Sequence, residues 1–346
     1  MKPSTVNYKL VKKSLDTVKK KDGFSLGKSY ASKGFCHPAK ISQTDMLRLQ
    51  LKACEILECS FEMIDLSPVC VLGTNSVLAG ISQNTVLSAL HDMEVLADPT
   101  TALALEAVRR KDQELEYGDI LRLASCARSL RLQNFQSNSV LSSHFMALGL
   151  ISAGKDTWNR TFEIKELQTH VESSLKVLTS IKGEALQKIT VYYSDTRIMH
   201  SICRLVGTEA STLPPMSRQS GFSAFDHLNV ELPKYATCPD KIEGRAKYGK
   251  EFCRAMNEVD FLWNSAIRSL SEQWPNIEFI LHLDRSAGIN YYDGPCFKVR
   301  ARNKKGEIHS IADGGRVDWA TRLTRLKKDR MFSSGIGLEM LERQFT

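Results

Sequence analysis

The sequence lacks several patterns that would identify common classes of protein. It has no run of the roughly 18 apolar residues that a membrane-spanning helix requires. No apolar segment follows its Lys-rich start, as one would in a secretory signal. Its nine cysteines form no Cys-x-x-Cys pair. These absences argue against a membrane protein and a zinc-finger-type metal site, and they favour a cytoplasmic chain with free thiols.

Positive charge is concentrated at two places along the chain. The formal net charge is +8, and residues 1–40 carry ten lysines against Asp16 and Asp22. A second basic cluster lies between Arg322 and Arg330. We interpret residues 1–40 as a basic N-terminal arm. A solvated surface explains both clusters, and attraction to nucleic acid or to an acidic partner is the alternative that the charge allows.

The apolar pattern after the arm predicts a mixture of helices and strands. Two apolar runs, 120–132 and 143–152, flank a polar loop and predict a long hairpin. Apolar residues at helical spacing predict further helices at 42–58, 100–111, 162–181 and 251–274, with others beginning near Thr196 and Gly337. Shorter runs predict strands at 61–72, 188–193, 277–283, 296–302 and 307–313.

Residues 207–247 interrupt this pattern with several prolines and glycines, and they predict an irregular insertion. The strands on either side are far apart in the chain and are mixed with helices. This arrangement is typical of an α+β fold with an antiparallel sheet. Residues 41–346 therefore form the predicted main domain.

Three motifs in the C-terminal third carry a family resemblance. Residues 287–297 (AGINYYDGPCF) resemble the Arg-Gly-Leu-Asp-Tyr-Tyr-Thr-Gly signature of histidyl-tRNA synthetases. Residues 313–318 (DGGRVD) resemble the Gly-Gly-Arg-Tyr-Asp turn of that family, and residues 334–339 (SGIGLE) resemble motif 3 of class II aminoacyl-tRNA synthetases. The resemblance implies the class II antiparallel sheet flanked by helices.

A weaker but collinear resemblance extends upstream. Residues 42–72 resemble motif 1, which implies a homodimer formed through this segment. Arg122 and Arg131 match the first strand of motif 2, and residues 145–154 match its return strand. The resemblance covers residues 42–346 and implies no anticodon-binding domain, as in the synthetase-like regulatory subunit of bacterial ATP phosphoribosyltransferase.

The resemblance assigns two groups of candidate site residues. If a nucleotide binds, its ligands are Arg131, Gln133, Arg316 and Glu339. A small-molecule pocket would be lined by Asp98, Thr101, Arg285, Gly288, Tyr291 and Tyr292. ATP with Mg²⁺ is the cofactor that the resemblance implies, although the residues themselves require none. For the tyrosines and for Arg131, a purely structural role is the alternative.

Several positions with a definite task in the family hold unsuitable residues here. The motif 3 arginine corresponds to Met340, and the arginine of the histidine signature corresponds to Ala287. Methionine and alanine cannot hold phosphate by charge. The substrate-binding positions correspond to Pro99, Ala147 and Ile151, so a buried zwitterion would lack partners.

These losses predict a catalytically degenerate paralogue that acts as a regulatory or scaffolding subunit with a protein partner. Two alternatives stay open. In the first alternative, the chain is an ATP-dependent ligase or transferase with an altered acid substrate. In the second, it is a module that binds tRNA or another nucleic acid through its lysines.

Overall fold

The computed structural model describes residues 8–89, 91–114, 116, 118–133, 142–213 and 221–346. Its strands are β1 Glu62–Met63, β2 Val69–Val71, β3 Ser88–Ala89, β4 Met93–Val95, β5 Ile120–Leu130, β6 His144–Lys155, β7 Lys188–Asp195, β8 Tyr235–Ala236, β9 Glu278–His282, β10 Pro295–Arg302, β11 Ile308–Val317 and β12 Asp329–Ile336. They form two separate sheets.

The α-helices surround the larger sheet. They are α1 Tyr8–Lys19, α2 Gly23–Ser32, α3 Gln43–Leu57, α4 Thr74–Ala79, α5 Pro99–Glu114, α6 Thr161–Lys182, α7 Thr196–Leu205, α8 Ala224–His227, α9 Gly249–Leu262, α10 Arg268–Gln273, α11 Trp319–Thr324 and α12 Leu338–Gln344. A π-helical turn, Trp263–Ile267, joins α9 to α10, so the helix predicted at 251–274 has an irregular centre.

The larger sheet has nine strands in the order β1-β5-β6-β12-β11-β10-β7-β9-β8. Its central pairings, from β5 across to β7, are antiparallel, whereas β1 pairs with β5 and β9 pairs with β7 in parallel. Strands β2, β4 and β3 form a small antiparallel sheet. The predicted α+β fold with an antiparallel sheet flanked by helices is confirmed.

Each face of the larger sheet packs against different helices. Because side chains alternate along a strand, Leu148 and Leu150 of β6 contribute to the core shared with α6. Ile151 and Ala153 of the same strand pack instead into the cluster that includes Leu103 of α5. The sheet therefore separates an α6 face from an α5 face.

Two local predictions were wrong. Residues 61–72 do not form one strand, because β1 joins the large sheet and β2 joins the small one. Pro68, which has no amide hydrogen for a ladder, lies between them. The Gly-Gly-Arg segment at 314–316 was expected in a turn, but it lies within β11 and pairs with β12.

The basic arm contains regular structure that its weak periodicity did not indicate. Helix α2 begins at a capping box, in which the Asp22 carboxylate accepts a hydrogen bond from the Ser25 amide and the Ser25 hydroxyl oxygen accepts one from the Asp22 amide. Leu15 and Val18 of α1 are largely exposed. Binding of nucleic acid by this arm stays a prediction.

Two further findings concern the chain as a whole. Part of the irregular insertion, 214–220, lies outside the described residues. Among the helices of the described residues, none is long and apolar enough to cross a membrane.

Candidate functional site

A cavity of about 280 Å³ opens on the α5 face of the large sheet, beside the ends of the β5–β6 hairpin and helix α12. Its apolar wall includes Pro99, Phe145, Met146, Ala147, Ile336 and Met340. Its polar lining includes Asp98, Arg131, Gln133, Ser142, Glu339 and Arg343. Three of the four predicted nucleotide-site residues, and one of the predicted pocket residues, therefore meet here.

Asp98 and Arg131 form one polar corner of this cavity. Asp98 stands just before α5, where Oδ1 accepts hydrogen bonds from the Thr100 amide at 3.0 Å and its hydroxyl at 2.7 Å. Arg131 donates to the Ala97 carbonyl at 3.0 Å and pairs with Asp98 Oδ2 at 3.4 Å. Its guanidinium also lies 5.5 Å from the centre of the Phe145 ring. Arg131 is thus held by the protein itself.

Glu339 lies beneath the cavity on the first turn of α12. It is almost fully buried, and its Oε2 accepts hydrogen bonds from Arg128 at 3.2 Å and from the Met146 amide at 3.3 Å. Such hydrogen bonds offset the cost of burying a polar group. Glu339 therefore ties α12 to the β5–β6 hairpin, which is a structural task.

Arg343 supplies a positive charge that the motif comparison did not predict. Met340 occupies the motif 3 arginine position, and Arg343 follows it by three residues on α12, so both lie on one side of the helix. Both line the cavity, and Arg343 Nη1 donates to the Ser142 hydroxyl at 3.1 Å. The helical spacing was a signal available in the sequence.

Two residues of the predicted small-molecule pocket, Arg285 and Tyr292, are engaged by other groups of the protein. Arg285 curls back to donate to the Ala287 carbonyl at 3.1 Å and to Asp313 at 2.8 Å. The Tyr292 hydroxyl donates to the same Asp313 oxygen at 2.8 Å. Burial would raise the pKa of Asp313, but Arg285 and Lys298 hold it below its ordinary value. Arg285 is consequently neutralised and nearly buried.

Two glycines, Gly288 and Gly315, leave the space that the Tyr292 ring occupies. A Cβ on Gly315 would lie 2.7 Å from the Tyr292 ring, and one on Gly288 would lie 2.8 Å from it. Gly288 also has a φ of +83°, in the left-handed region that favours glycine. Tyr291 packs edge-on against Trp319, with ring centroids 5.2 Å apart, and its hydroxyl lies 3.1 Å from that of Thr100. Burial raises the pKa of both tyrosines.

Thr101 and Arg316 lie away from the regions to which they were assigned. Thr101 is fully buried and donates to the Asp98 carbonyl at 2.8 Å and to Asn75 at 3.1 Å, so Thr100 is the threonine that contacts Tyr291. Arg316 pairs with Asp293 at 2.8 Å and extends toward Glu163 of α6 at 3.3 Å. Because its neighbour Gly315 faces Tyr292, Arg316 lies across the sheet from Arg131, which corrects the grouping of these two arginines.

The chemistry of the α5 face is that of a small apolar cavity with a guanidinium–carboxylate pair at one side. Arg343 adds a second guanidinium. Within the part of the chain that the structure describes, no group of three or more histidine, cysteine or acidic side chains is arranged to hold a metal ion. The arrangement suits a small, partly apolar molecule.

The chain has the class II aminoacyl-tRNA synthetase fold of the histidyl-tRNA synthetase structures with which it aligns. The chain aligns with an ATP phosphoribosyltransferase regulatory subunit/histidyl-tRNA synthetase from Bacillus halodurans at a TM-score of 0.64 and 14% identity, covering 91% of this chain and 83% of the other. It also aligns with histidyl-tRNA synthetase from Nostoc at 0.63 and 15% identity, covering 90% and 74%.

A third similar structure is a histidine–tRNA ligase subunit from Alicyclobacillus acidocaldarius. Its TM-score is 0.62 at 12% identity, and the alignment covers 88% of this chain and 94% of the other. Such low identities show the fold alone. No protein-family model and no curated protein matches the sequence.

Proposed function

We propose that this protein is a synthetase-fold subunit that no longer activates amino acids and that regulates or scaffolds a protein partner. The observation that carries the proposal is the loss of two arginines from positions where the family pattern places them for adenylation. Met340 and Ala287 replace two arginines of the family pattern, and Arg285 is neutralised by Asp313. Each lost charged ligand raises such a barrier by about 3 kcal/mol.

The second support is the state of the amino-acid pocket. Arg285 and Tyr292 both pair with Asp313, and Ala147 and Ile151 offer no polar group. A zwitterionic substrate would leave its ammonium and carboxylate without partners there, which costs several kcal/mol by a rough count of ~1–3 kcal/mol for each such group. The cavity between Arg131 and Arg343 persists beside it as a place for a different small molecule.

A regulatory role agrees with the printed description of one structural neighbour. That neighbour is described as a regulatory subunit of ATP phosphoribosyltransferase as well as a histidyl-tRNA synthetase. A domain that no longer catalyses adenylation still has its surfaces. Binding of a partner protein is the function that these surfaces can serve.

We propose, as part of this function, that residues 41–346 act as one domain and that it dimerises through the α3 segment. Leu47 and Leu51 lie four residues apart on one side of α3 and are 56% and 61% exposed. The opposite side of the helix is already buried through Met46, Leu49 and Ala53. An exposed apolar face on a helix that is also packed inward indicates an interface.

The direct test is ATP–pyrophosphate exchange with each of the twenty amino acids. We expect exchange slower than that of an active histidyl-tRNA synthetase by a factor on the order of 10⁴ or more, because two charged ligands worth roughly a hundredfold each are missing. The double variant Ala287→Arg with Met340→Arg restores the two arginines. It is the matched control that tests whether their loss is the reason for slow exchange. Robust exchange by the unaltered chain with any amino acid would sink the proposal.

Calorimetric titration with Mg²⁺–ATP separates this function from the alternative ligase. Submillimolar binding that Arg131→Ala abolishes would favour a surviving ATP-dependent enzyme. The partner is sought by co-purification from the native source and then by reconstitution from purified components. A change in the partner's activity on adding this chain supports regulation.

A further inference from the structure

The basic arm contains a helix whose apolar side is open to solvent. Val11, Leu15 and Val18 follow one another in α1 at intervals of four and three residues, so they lie on one side of the helix. Leu15 is 55% exposed and Val18 is 63% exposed. In the described structure, the apolar side of α1 is therefore largely uncovered.

Lysines occupy the other side of the same helix. At 3.6 residues per turn, Lys9, Lys12 and Lys13 face away from Leu15, and all three are exposed. The sequence of α1 contains four lysines and one acidic residue, Asp16. A cationic side opposite an apolar side is typical of a helix that lies in the surface of a membrane.

The next helix adds exposed aromatic rings. Phe24 of α2 is 73% exposed, and Tyr30 is 51% exposed. The Nζ atom of Lys28 lies 4.4 Å from the centre of the Phe24 ring. Aromatic rings with neighbouring positive charge suit the boundary between lipid and water, where the ring contacts apolar chains and the charge contacts headgroups. The pattern of α1 therefore continues into α2.

The apolar side of α1 favours one occupant among those that lysines attract. A nucleic acid would bind the lysines through its phosphates but would leave Leu15 and Val18 in water. A second copy of this chain would cover the apolar side but would leave the lysines without negative partners. An anionic lipid surface binds the lysines through its headgroups and takes up the apolar side chains among its acyl chains. The lipid surface thus uses both sides of the helix.

We propose that α1 binds the surface of an anionic membrane and lies parallel to it. Val11, Leu15 and Val18 enter the acyl region, and the lysines contact the headgroups. A helix of this length extends about 18 Å, which is too short to cross the apolar core of a membrane. The surface belongs to the arm and not to residues 41–346, so the proposal does not depend on the function proposed above.

Co-sedimentation of the full chain with lipid vesicles tests the proposal. One set of vesicles is phosphatidylcholine alone, and in the other set phosphatidylserine makes up about a quarter of the lipid. We expect the partition coefficient to be at least about tenfold higher for the anionic set. It should fall when salt is raised from ~0.1 M to ~1 M, because salt screens the lysines. Failure to sediment with the anionic set, or equal partition into both sets, would overturn the proposal.

The lysine side is tested by Lys12→Gln with Lys13→Gln, since glutamine has a helix propensity close to that of lysine. We expect partition into the anionic vesicles to fall roughly 25-fold, at about fivefold for each lysine. Lys304→Gln with Lys305→Gln changes two adjacent exposed lysines in the turn between β10 and β11 and is the matched control. It should leave the partition unchanged, and an equal fall for both pairs would contradict a role for α1.

The apolar side is tested by Leu15→Gln with Val18→Gln, which keeps every lysine. Partition into the anionic vesicles should fall at least about tenfold, because apolar burial in the membrane is lost. The unfolding temperature should stay close to that of the unaltered chain, since both side chains are largely exposed. Unchanged partition would show that charge alone holds the arm, and the inserted helix would be wrong.

The two other occupants give different results. Fluorescence anisotropy with a labelled single-stranded oligouridine measures nucleic-acid binding by the same variants. Binding of this RNA that needs the lysines but not Leu15 or Val18, without sedimentation by anionic vesicles, assigns the arm to nucleic acid and overturns the proposal. A lower mass of the Leu15→Gln with Val18→Gln variant in lipid-free solution assigns the apolar side to a second copy, with the same consequence.

Discussion

At the scale of single residues, glycines decide how closely the C-terminal strands and loops approach one another. Gly314 and Gly335 lie on the neighbouring strands β11 and β12, yet their surroundings differ. A Cβ on Gly314 would lie 2.5 Å from both the Phe297 ring and the Ser334 Cβ. For Gly335 the nearest atom, the Leu148 carbonyl oxygen, is 3.9 Å away. The two positions therefore provide a matched pair.

We expect Gly314→Ala to lower the free energy of unfolding by about 2 kcal/mol or more, because a methyl group there overpacks a buried ring. Gly335→Ala should be neutral or slightly stabilising, since alanine restricts the unfolded chain and meets open space. Urea denaturation of both variants measures the difference. Equal denaturation midpoints would show that β11 and β12 relax enough to accept the added methyl group.

At the scale of elements, His170 connects helix α6 to two strands. Its imidazole is fully buried, with Nε2 2.8 Å from the Ser152 hydroxyl of β6 and Nδ1 2.7 Å from the Ser334 hydroxyl of β12. Burial, with a smaller contribution from the positive charge of Arg122, lowers the pKa of His170 to about 3. The ring is therefore neutral in the folded protein at all ordinary pH values.

This lowered pKa makes stability depend on pH in a definite direction. In the unfolded chain His170 takes up a proton as the pH falls below about 6.5, whereas in the folded protein it does not. The contribution of neutral His170 to the stability of the folded protein is thus complete above pH 6.5 and is lost progressively as the pH falls toward 3. Between pH 7.5 and 5.5 the loss from this residue is about 1.4 kcal/mol.

The variant His170→Gln checks this linkage. We expect it to be less stable than the unaltered protein at pH 7.5, because at least one serine hydrogen bond is lost, but to lose about 1.4 kcal/mol less on acidification to pH 5.5. Urea unfolding at the two pH values measures both effects. Parallel pH profiles for variant and unaltered protein would show that His170 is not the titrating group.

At the scale of the whole molecule, the proposed dimer rests on the exposed leucines of α3. Replacing both Leu47 and Leu51 with glutamate places charge in the centre of that face, and we expect the mass in solution to fall from dimer to monomer. Light scattering after size-exclusion chromatography measures it. Leu205→Glu, at a leucine of α7 that is 52% exposed, serves as the control and should leave the mass unchanged. A monomeric unaltered chain would contradict the dimer.

Much of the fold could be predicted because the relevant signals are local. The helices α5 and α6 and the hairpin β5–β6 follow from apolar periodicity, which depends only on neighbouring residues. The strand predicted at 61–72 failed because pairing with two different sheets is a property of the whole chain. Helix α2 of the arm was missed because a capping box at Asp22, and not apolar periodicity, marks its start.

The candidate site was predictable in its location but less so in its arrangement. Asp98, Arg131, Gln133 and Glu339 do meet at one cavity. Arg343 was missed because the motif names only the position that Met340 now holds. Helical geometry brings a side chain three residues later to the same side, which a linear comparison of motifs does not consider.

The sequence by itself determined the class of fold and the chemical groups that are absent, because motif order and residue type require no coordinates. Only the tertiary structure decided which charges are available. Arg285 is neutralised by Asp313, and Arg316 extends to the opposite face of the sheet toward Glu163. The physical reason is that partners distant in the chain decide whether the charge of a side chain is available to a ligand. Strand alternation also assigns neighbouring residues to opposite faces of the sheet.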